Sequence, residues 1–305
     1  MNEFDRLFAR SGLSLDRLRT FLTVADAGNL AKAAKGDPTR QSQFSRQVKE
    51  LEAFFGVALT RRVGRRIEIT DEGLRLAGMI RRQFSELDDF RESMSGRPVA
   101  VRMGAAASVL EWMVLPRMAA CREALGGVVL ELEQCRSAEV ARGVADGRLD
   151  FGILREDAAP EGMKRWKLGR IGYSLFAPKA AWKGDGGIDG VFARHSFGEL
   201  LPGGQFHDRY RELLKARKWS PQVMARVGSF LQLARLVRVE GVAAVLPGTA
   251  TVEFDPAKVQ SMALPWNHER PMVLLANPRS MDRAGMRPGV AVALAKGLAW
   301  DVGST

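Results

Sequence analysis

The sequence predicts a multidomain α/β chain: a small helical unit with a β-hairpin, one long linking helix, and a larger region of two α/β lobes. Three observations carry this. Helical patterns followed by a two-strand pattern crowd into the stretch before Thr70. A sustained apolar repeat at spacings of four and three then runs from Leu76 to Met94. Beyond it, strand and helix patterns alternate, which predicts βαβ units on a parallel sheet. A length of 305 residues agrees, because one ordinary core rarely serves so long a chain.

Taken in order, residues 1–14 read as a mobile arm. The first firm helix is expected over Leu15 to Ala27, where Leu15, Leu18, Phe21, Leu22 and Ala25 form a stripe and Gly28 is the stop. Asn29 is placed to cap a short helix over Leu30 to Ala34. Lys35-Gly36-Asp37-Pro38-Thr39 then holds the breakers of a sharp turn. A further helix is expected from about Arg40 to Phe55, ending at Gly56. Its spacing puts Phe44, Val48, Leu51 and Phe55 on one side and Ser42, Ser45, Arg46 and Lys49 on the other. The second side carries only hydroxyls and cations, groups that reach base edges and phosphate oxygens. Short helix, tight turn and amphipathic helix together make a helix-turn-helix. From Val57 to Ile69 the pattern is a hairpin with Arg61, Arg62, Arg65 and Arg66 flanking a Gly64 turn. Such a wing lies along phosphates or sets an arginine in the minor groove.

Thr70 caps the linking helix, and Asp71 and Glu72 complement its dipole. Leu76, Ile80, Gln83, Leu87, Phe90 and Met94 have the spacing of a coiled-coil seam over roughly three heptads; a lone stripe of this kind commonly packs on its own domain, but on a helix that links two regions self-pairing is the expectation, with Gln83 setting register. The helix is expected to stop near Ser95-Gly96, ahead of Arg97-Pro98.

Charge is unevenly spread. The chain carries a formal +11, and between Lys32 and Arg66 nine basic residues face three acidic ones. That concentration points to a polyanion, here nucleic acid. With 46% hydrophobic and 27% charged residues and no long apolar run, a membrane partner is not expected. The N-terminal stretch lacks the apolar core of a secretion signal, and two cysteines build neither a disulfide framework nor a metal set. A reducing cytoplasm is the expected location.

From Leu15 to Phe90 the chain resembles the winged helix-turn-helix and linker helix of LysR-type transcriptional regulators. The resemblance rests on Leu18-Arg19-Thr20-Phe21, Ala33-Ala34, Gln41, Ser45-Arg46-Gln47, Leu51-Glu52, Gly56-Val57-Ala58-Leu59, Arg61, Gly64-Arg65-Arg66 and Thr70-Asp71-Glu72-Gly73. Three departures mark this chain. Asp37 stands where the family has an apolar residue, Arg40 where it has a capping hydroxyl, and Ser42 where proline is frequent. Asp37 or Thr39 is then expected to cap instead, with Pro38 in the first turn and the recognition helix starting up to a turn early.

The remainder reads as strand Val99–Met103, helix Ser108 to about Leu125 with Pro116 as a kink, strand Val128–Glu133, helix Ser137–Asp146 and buried strand Leu149–Leu154. Ile171 to Ala177 is expected to cross to a second lobe. There, Phe206–Lys218 and Ser229–Val239 read as helices and Gln222–Val227 and Val242–Leu246 as strands. Met272–Ala276 returns as a strand and Val290–Trp300 closes as a helix. This layout is similar to the effector-binding half of the same family, itself like periplasmic binding proteins, through Leu115-Pro116, Gly147 to Ile153, and Gly241-Val242 to Leu246-Pro247. The resulting domain expectation is an arm at 1–14, a DNA-binding unit at 15–70, a linker helix at 71–96 and a regulatory domain at 97–305. Within that domain, one lobe takes 97–176 plus the C-terminal part and the other about 177–270.

The resemblance implies a small-molecule site at helix starts along a cleft. It implicates Ser108, Ser137, Gln205 and Phe206. Helix N-termini at the two serines suit a carboxylate, with Arg136 adding charge, although capping alone also explains both serines. Phe230 is either a cleft wall or core. Cys121 and Cys135 read as inert buried thiols, and His195, His207 and His268 are too scattered for a metal site or triad. No cofactor or catalytic residue is expected. The reading is a non-enzymatic, sequence-specific regulator, dimeric or tetrameric, binding spaced inverted repeats and controlled by an effector. Gln41, Ser42, Gln43, Ser45 and Arg46 would read bases, and Lys49, Arg61, Arg62, Arg65 and Arg66 would hold phosphates. The competing classes are a two-lobed small-molecule binder or enzyme with an N-terminal oligomerisation module, and an architectural DNA binder without effector.

Overall fold

The computed structural model describes residues 11–64, 66–94, 100–184, 186–266, 268–277 and 289–300. The arm from Met1 to Arg10, Arg65, and the expected helix stop at Ser95 to Pro98 lie outside the described residues. The chain divides into an N-terminal unit, Met1–Pro98 with Ala145–Arg148, and a C-terminal unit, Val99–Val144 with Leu149–Thr305.

In the N-terminal unit each helix has a cap that the sequence encodes. The Ser14 side chain accepts from the Arg17 N–H at 3.2 Å and opens α1, Leu15–Ala27, which Gly28 closes in the left-handed region. Asn29 accepts from the Lys32 N–H at 2.8 Å and opens α2, Leu30–Ala33. The third helix, α3, spans Pro38–Phe55, earlier than the expected start at Arg40. Its cap is Asp37, whose Oδ1 accepts from the N–H groups of Thr39 at 2.9 Å and Arg40 at 3.2 Å, with Pro38 in the first turn where its missing N–H costs nothing. The hairpin of β1, Thr60–Val63, and β2, Arg66–Ile69, pairs antiparallel, and α4 follows as Asp71–Met94. Phe21, Val24, Val48, Leu51, Leu59 and Ile80 bring α1, α3, the approach to the wing, and α4 into one buried core.

Two polar side chains fix how the wing meets the helices. Oε1 of Glu52 accepts from the N–H groups of Leu59 and Thr60 and from the Thr60 hydroxyl, each at 2.9 Å. Thr70 donates its hydroxyl to the Ala58 carbonyl at 2.8 Å and accepts from the Gly73 N–H at 3.0 Å, capping α4 while holding the chain that leads into β1. The approach is close enough that a Cβ on Gly73 would lie 2.3 Å from the Leu59 carbonyl oxygen.

The expected seam divides. Ile80 is buried and Leu76 packs against the same core, so the early half of the repeat serves the unit's own interior. Leu87, Phe90 and Met94 are 57%, 66% and 69% exposed and Gln83 is exposed, so only the later half presents an open apolar face.

In the C-terminal unit, a five-stranded sheet has the order β4-β3-β5-β12-β6. Its strands are β3 (Val101–Ala105), β4 (Leu130–Gln134), β5 (Phe151–Arg155), β6 (Arg165–Ile171) and β12 (Arg270–Ala276). The first three are parallel, as the alternation predicts, but β12 runs antiparallel to both β5 and β6. Strand β6 was missed because its burial alternates only weakly and it carries Arg165, Lys167 and Arg170. The helix expected from Ser108 to Leu125 is broken: a short turn α5 (Ala107–Val109), a π turn (Leu110–Val114), a 3-10 turn holding Pro116, and then α6 (Met118–Leu125). Proline removes a donor and displaces the preceding carbonyl, which accounts for the break. Helix α7, Ser137–Ala145, packs Val140 and Val144 onto the opposite face of the sheet from α6. Adjacent Gly104 and Gly152 on β3 and β5 leave room there for Leu149, Val140 and Val144.

Gly172 alone separates β6 from β7 (Tyr173–Pro178), which enters a second sheet of order β10-β7-β11. Helix α8 (Gly187–Arg194) and strand β8 (Ser196–Leu200) precede α9 (Gly204–Arg217), β9 (Gln222–Val227), α10 (Phe230–Glu240), β10 (Ala244–Pro247) and β11 (Val259–Ala263). Strands β8 and β9 pair in parallel, and Phe197 bridges Ala243 to bring them beside β10. After β12, α11 (Val290–Leu298) closes against α6 on the first sheet.

The close approach at Gly73 gives the first test. Gly73→Ala drives a methyl into the Leu59 carbonyl and Ile69, and about 1–3 kcal/mol of stability should be lost. A lowered urea midpoint for loss of the helical signal of the N-terminal unit is the expected result.

Candidate nucleic-acid interface and effector cleft

The recognition face is built by α3. Gln41, Ser42, Gln43, Arg46 and Lys49 are exposed and Ser45 is half-buried, while Val48 and Leu51 on the opposite side are buried. The core therefore anchors the helix by one side and leaves the hydroxyl and cation side open. Arg46 lies 3.4 Å from Glu50, which also pairs with Arg17 of α1. On the wing, Arg61 faces Glu68 across the hairpin at 3.7 Å and Arg62 bonds the Gly64 carbonyl at 3.3 Å; both are exposed. Arg66 opens β2. Asp37 adds a feature that the residue pattern alone leaves open, an exposed carboxylate at the tip of the recognition helix.

A second constellation lies in the C-terminal unit, where the chain crosses between lobes. Ser108, Ser137 and Arg155 follow or end three neighbouring parallel strands, so they share one sheet edge. The structure gives the two serines different surroundings from those expected. Ser108 lies inside the short α5, whose cap position is Ala106 with no side-chain bond. Ser137 opens α7, but the N–H of exposed Arg136 donates to Glu139 Oε2 at 2.8 Å, so the chain's own carboxylate already sits at this helix start.

The other candidates converge. Gln205, at the start of α9, accepts a hydrogen bond from Arg155, joining the lobes. Phe206 and Phe230 stand at 5.0 Å edge to face, and Phe206 lies 4.9 Å from the ring of Tyr173. Phe206 is buried, so it is core more than cleft lining. Trp266 and Arg270, which the sequence reading passed over, complete the group with His268. Trp266 and His268, on the return crossover, lie 5.2 and 5.9 Å from Tyr173, and Arg270 sits over its ring at 5.7 Å. Arg270 Nε lies 3.2 Å from His268 Nε2. Of the three histidines only His268 lies in this group, beside Arg270. Burial first, then the positive charges of Arg270, Arg209 and Arg155, lower the His268 pKa against the opposing pull of Asp157. Burial also raises the Tyr173 hydroxyl, partly offset by Arg270 and Arg155.

Cys121 and Cys135 are both buried thiols. Burial raises the Cys121 thiol, and Cys135 donates to Glu133 Oε1 at 3.4 Å. Among the described residues no group of three His, Cys, Asp or Glu side chains is placed to hold a metal, and no helix is long and apolar enough to cross a membrane.

Both parts of the chain match known families. Residues 15–74 match the profile of the bacterial regulatory helix-turn-helix protein, lysR family, and residues 96–294 match the LysR substrate binding domain. The chain belongs to the LysR family. It is 29% identical over 148 residues to the uncharacterized HTH-type transcriptional regulator YfeR of Shigella flexneri, a match covering 46% of this chain and 47% of that protein. The chain spans about half the length of the curated relatives it matches. Its fold is that of ArgP from Mycobacterium tuberculosis, with a TM-score of 0.61 at 17% identity over 95% of this chain and 99% of that one. Full-length CbnR, solved as a complex with its target DNA, superposes with a TM-score of 0.53 at 18% identity over 94% of this chain and 99% of that one.

Two expectations follow. Replacing Asp37 by Ala removes the acceptor for the Thr39 and Arg40 amides, and about 1 kcal/mol of cap energy with it. Hydrogen exchange of those two amides should accelerate roughly fivefold while the middle of α3 keeps its protection. The second concerns pH. Because folding lowers the His268 pKa, the unfolded chain holds that proton more tightly, and stability falls as pH drops through the ordinary value of 6.5 toward the folded one. His268→Gln should lose less thermal stability than the parent between about pH 7.5 and 5.5.

Proposed function

We propose that this chain is a DNA-binding transcriptional regulator that works in the cytoplasm as a homodimer or homotetramer, and that its activity is binding, not catalysis. The single observation that carries the reading is the outer face of α3, where Ser42, Arg46 and Lys49 stand exposed above a buried anchor. Ser42, Ser45 and Arg46, with Gln41 and Gln43, read base edges in the major groove; Lys49, Arg61, Arg62, Arg65 and Arg66 neutralise phosphates. The DNA-bound relative CbnR supports this use of the fold. The expected domain limits stand as part of the reading, with DNA binding in residues 15–70 and regulation in 97–305.

Exposed Leu87, Phe90 and Met94 on α4, with exposed Leu15 on α1, provide the apolar surface for pairing. Twofold pairing presents two recognition helices to half-sites about 34 Å apart, or a multiple, and so selects a spaced inverted repeat. A small-molecule effector held between the lobes of the C-terminal unit shifts the balance among quaternary arrangements. The two-lobed enzyme alternative leaves the cationic α3 face without a purpose.

Sites selected from genomic fragments by the purified chain provide the assay. Arg46→Ala should weaken binding to them by about 1–3 kcal/mol, roughly tenfold or more, and relax preference at one position per half-site. Arg62→Ala should lower the slope of log affinity against log salt by about 0.9 without changing the preferred sequence. Unchanged affinity in Arg46→Ala would remove α3 as the reader. Phe90→Glu should convert the dimer to monomer in sedimentation velocity; an unaltered dimer would move pairing elsewhere.

A further inference from the structure

We infer that the recognition helix of this chain carries an additional reading turn, and that Asp37 at its tip selects cytosine at a further base pair of each half-site. This rests on the reading of α3 as the DNA reader and deepens it by naming a residue that sets sequence preference and the base it takes.

The first argument is length. Helix α3 begins at Pro38, so Thr39 belongs to its first turn. Thr39, Ser42, Arg46 and Lys49 stand at i, i+3, i+7 and i+10, which places them on one face, and Thr39 is exposed like Ser42, Arg46 and Lys49. The polar stripe thus gains a member at its leading end. Residues 38–40 add about 4.5 Å of helical rise, against about 3.4 Å per base pair along the duplex. A recognition helix meets base edges with its N-terminal residues, so the extra turn brings one more base pair within reach.

The second argument is the chemistry of the tip. Asp37 is exposed, and its Oδ1 accepts from the N–H groups of Thr39 at 2.9 Å and Arg40 at 3.2 Å, which fixes the side chain over the helix end. Its Oδ2 has no hydrogen-bond partner among the described residues. An ionised carboxylate can only accept. In the major groove cytosine offers the N4 donor, guanine and thymine offer acceptors, and adenine sets the N6 donor beside the N7 acceptor. Asp37 therefore matches cytosine, is repelled by guanine and thymine, and suits adenine only in part.

The third argument is the use of charge. Between Lys32 and Arg66 the acidic residues are Asp37, Glu50 and Glu52. Glu50 pairs with Arg17 and Arg46, and Glu52 is taken up by Leu59 and Thr60. Of these three, Asp37 keeps an acceptor turned outward. Capping does not require its charge, because serine and asparagine cap as well. A carboxylate brought up to phosphates weakens binding to every sequence, so it belongs at a DNA-facing tip only where a base donor meets it. Exposed Lys32, Lys35 and Arg40, close by in the chain, supply the cations that let it approach.

The test selects binding sites from random duplexes with the full-length parent, Asp37→Asn, Asp37→Ser and Arg46→Ala. Sites selected by the parent should carry cytosine at one end of each half-site, and guanine or thymine there should weaken binding roughly tenfold in competition. Asparagine keeps the cap and presents a donor beside an acceptor, so Asp37→Asn should move the preference to adenine at that position alone. Serine keeps the cap but is too short to reach the base, so Asp37→Ser should select no particular base there. Unchanged preference elsewhere in the site shows that α3 is intact in both variants. Cytosine retained in both variants, no preferred base at that end in the parent, or preferences altered throughout the site would each overturn the inference, the last by reducing Asp37 to a cap. These outcomes, with selection by the parent intact and lost at another position in Arg46→Ala, overturn this inference alone. Absence of any selected sequence in the parent would overturn the reader itself.

Discussion

One carboxylate oxygen, Oε1 of Glu52, ties the end of α3 to the start of the wing. It takes three hydrogen bonds from Leu59 and Thr60, so the end of the recognition helix and the first strand of the wing share one anchor. Thr70 completes the arrangement from the far side by binding Ala58 and capping α4. Without these contacts the arginines of the hairpin and the hydroxyls of α3 would be two mobile patches. With them, α3 and the wing form one surface, and in the proposed reading base contacts and phosphate contacts keep a fixed register.

Much of this was legible in the sequence because it is local. Caps, stops and the Gly64 turn depend on neighbours a few residues apart, and Asn29, Asp37, Gly28 and Gly56 act as their positions suggest, while Ser14, read as part of the arm, caps α1. The departure at Asp37 was readable as a cap together with Pro38, and the helix does begin early. Where tertiary packing decides, the pattern misled. The heptad repeat from Leu76 to Met94 is continuous in sequence, but its first half is consumed by the core beneath α1 and α3. A repeat records that a helix has an apolar side, and it does not record what covers that side.

The same limit explains the C-terminal unit. Strands β6, β8 and β11 and the short helix α8 fall outside the expected elements, and β6 and β11 are only partly buried. The antiparallel course of β12 is a consequence of the return crossover, which alternation of strands and helices does not encode. In the cleft, helix starts pointed to serines, yet the distinctive chemistry lies on the crossovers themselves. Tyr173, Trp266, His268 and Arg270 come from two segments nearly a hundred residues apart and meet only because both connect the lobes. No spacing rule finds such a group.

In the proposed reading the chain is one half of a twofold DNA reader. Hydroxyl-radical footprinting of the full-length chain on a fragment selected for tight binding tests it directly. Protection in two blocks, related by a dyad and separated by about one helical turn or a multiple of it, is the result predicted. A single asymmetric block, or uniform protection without a preferred position, would contradict it.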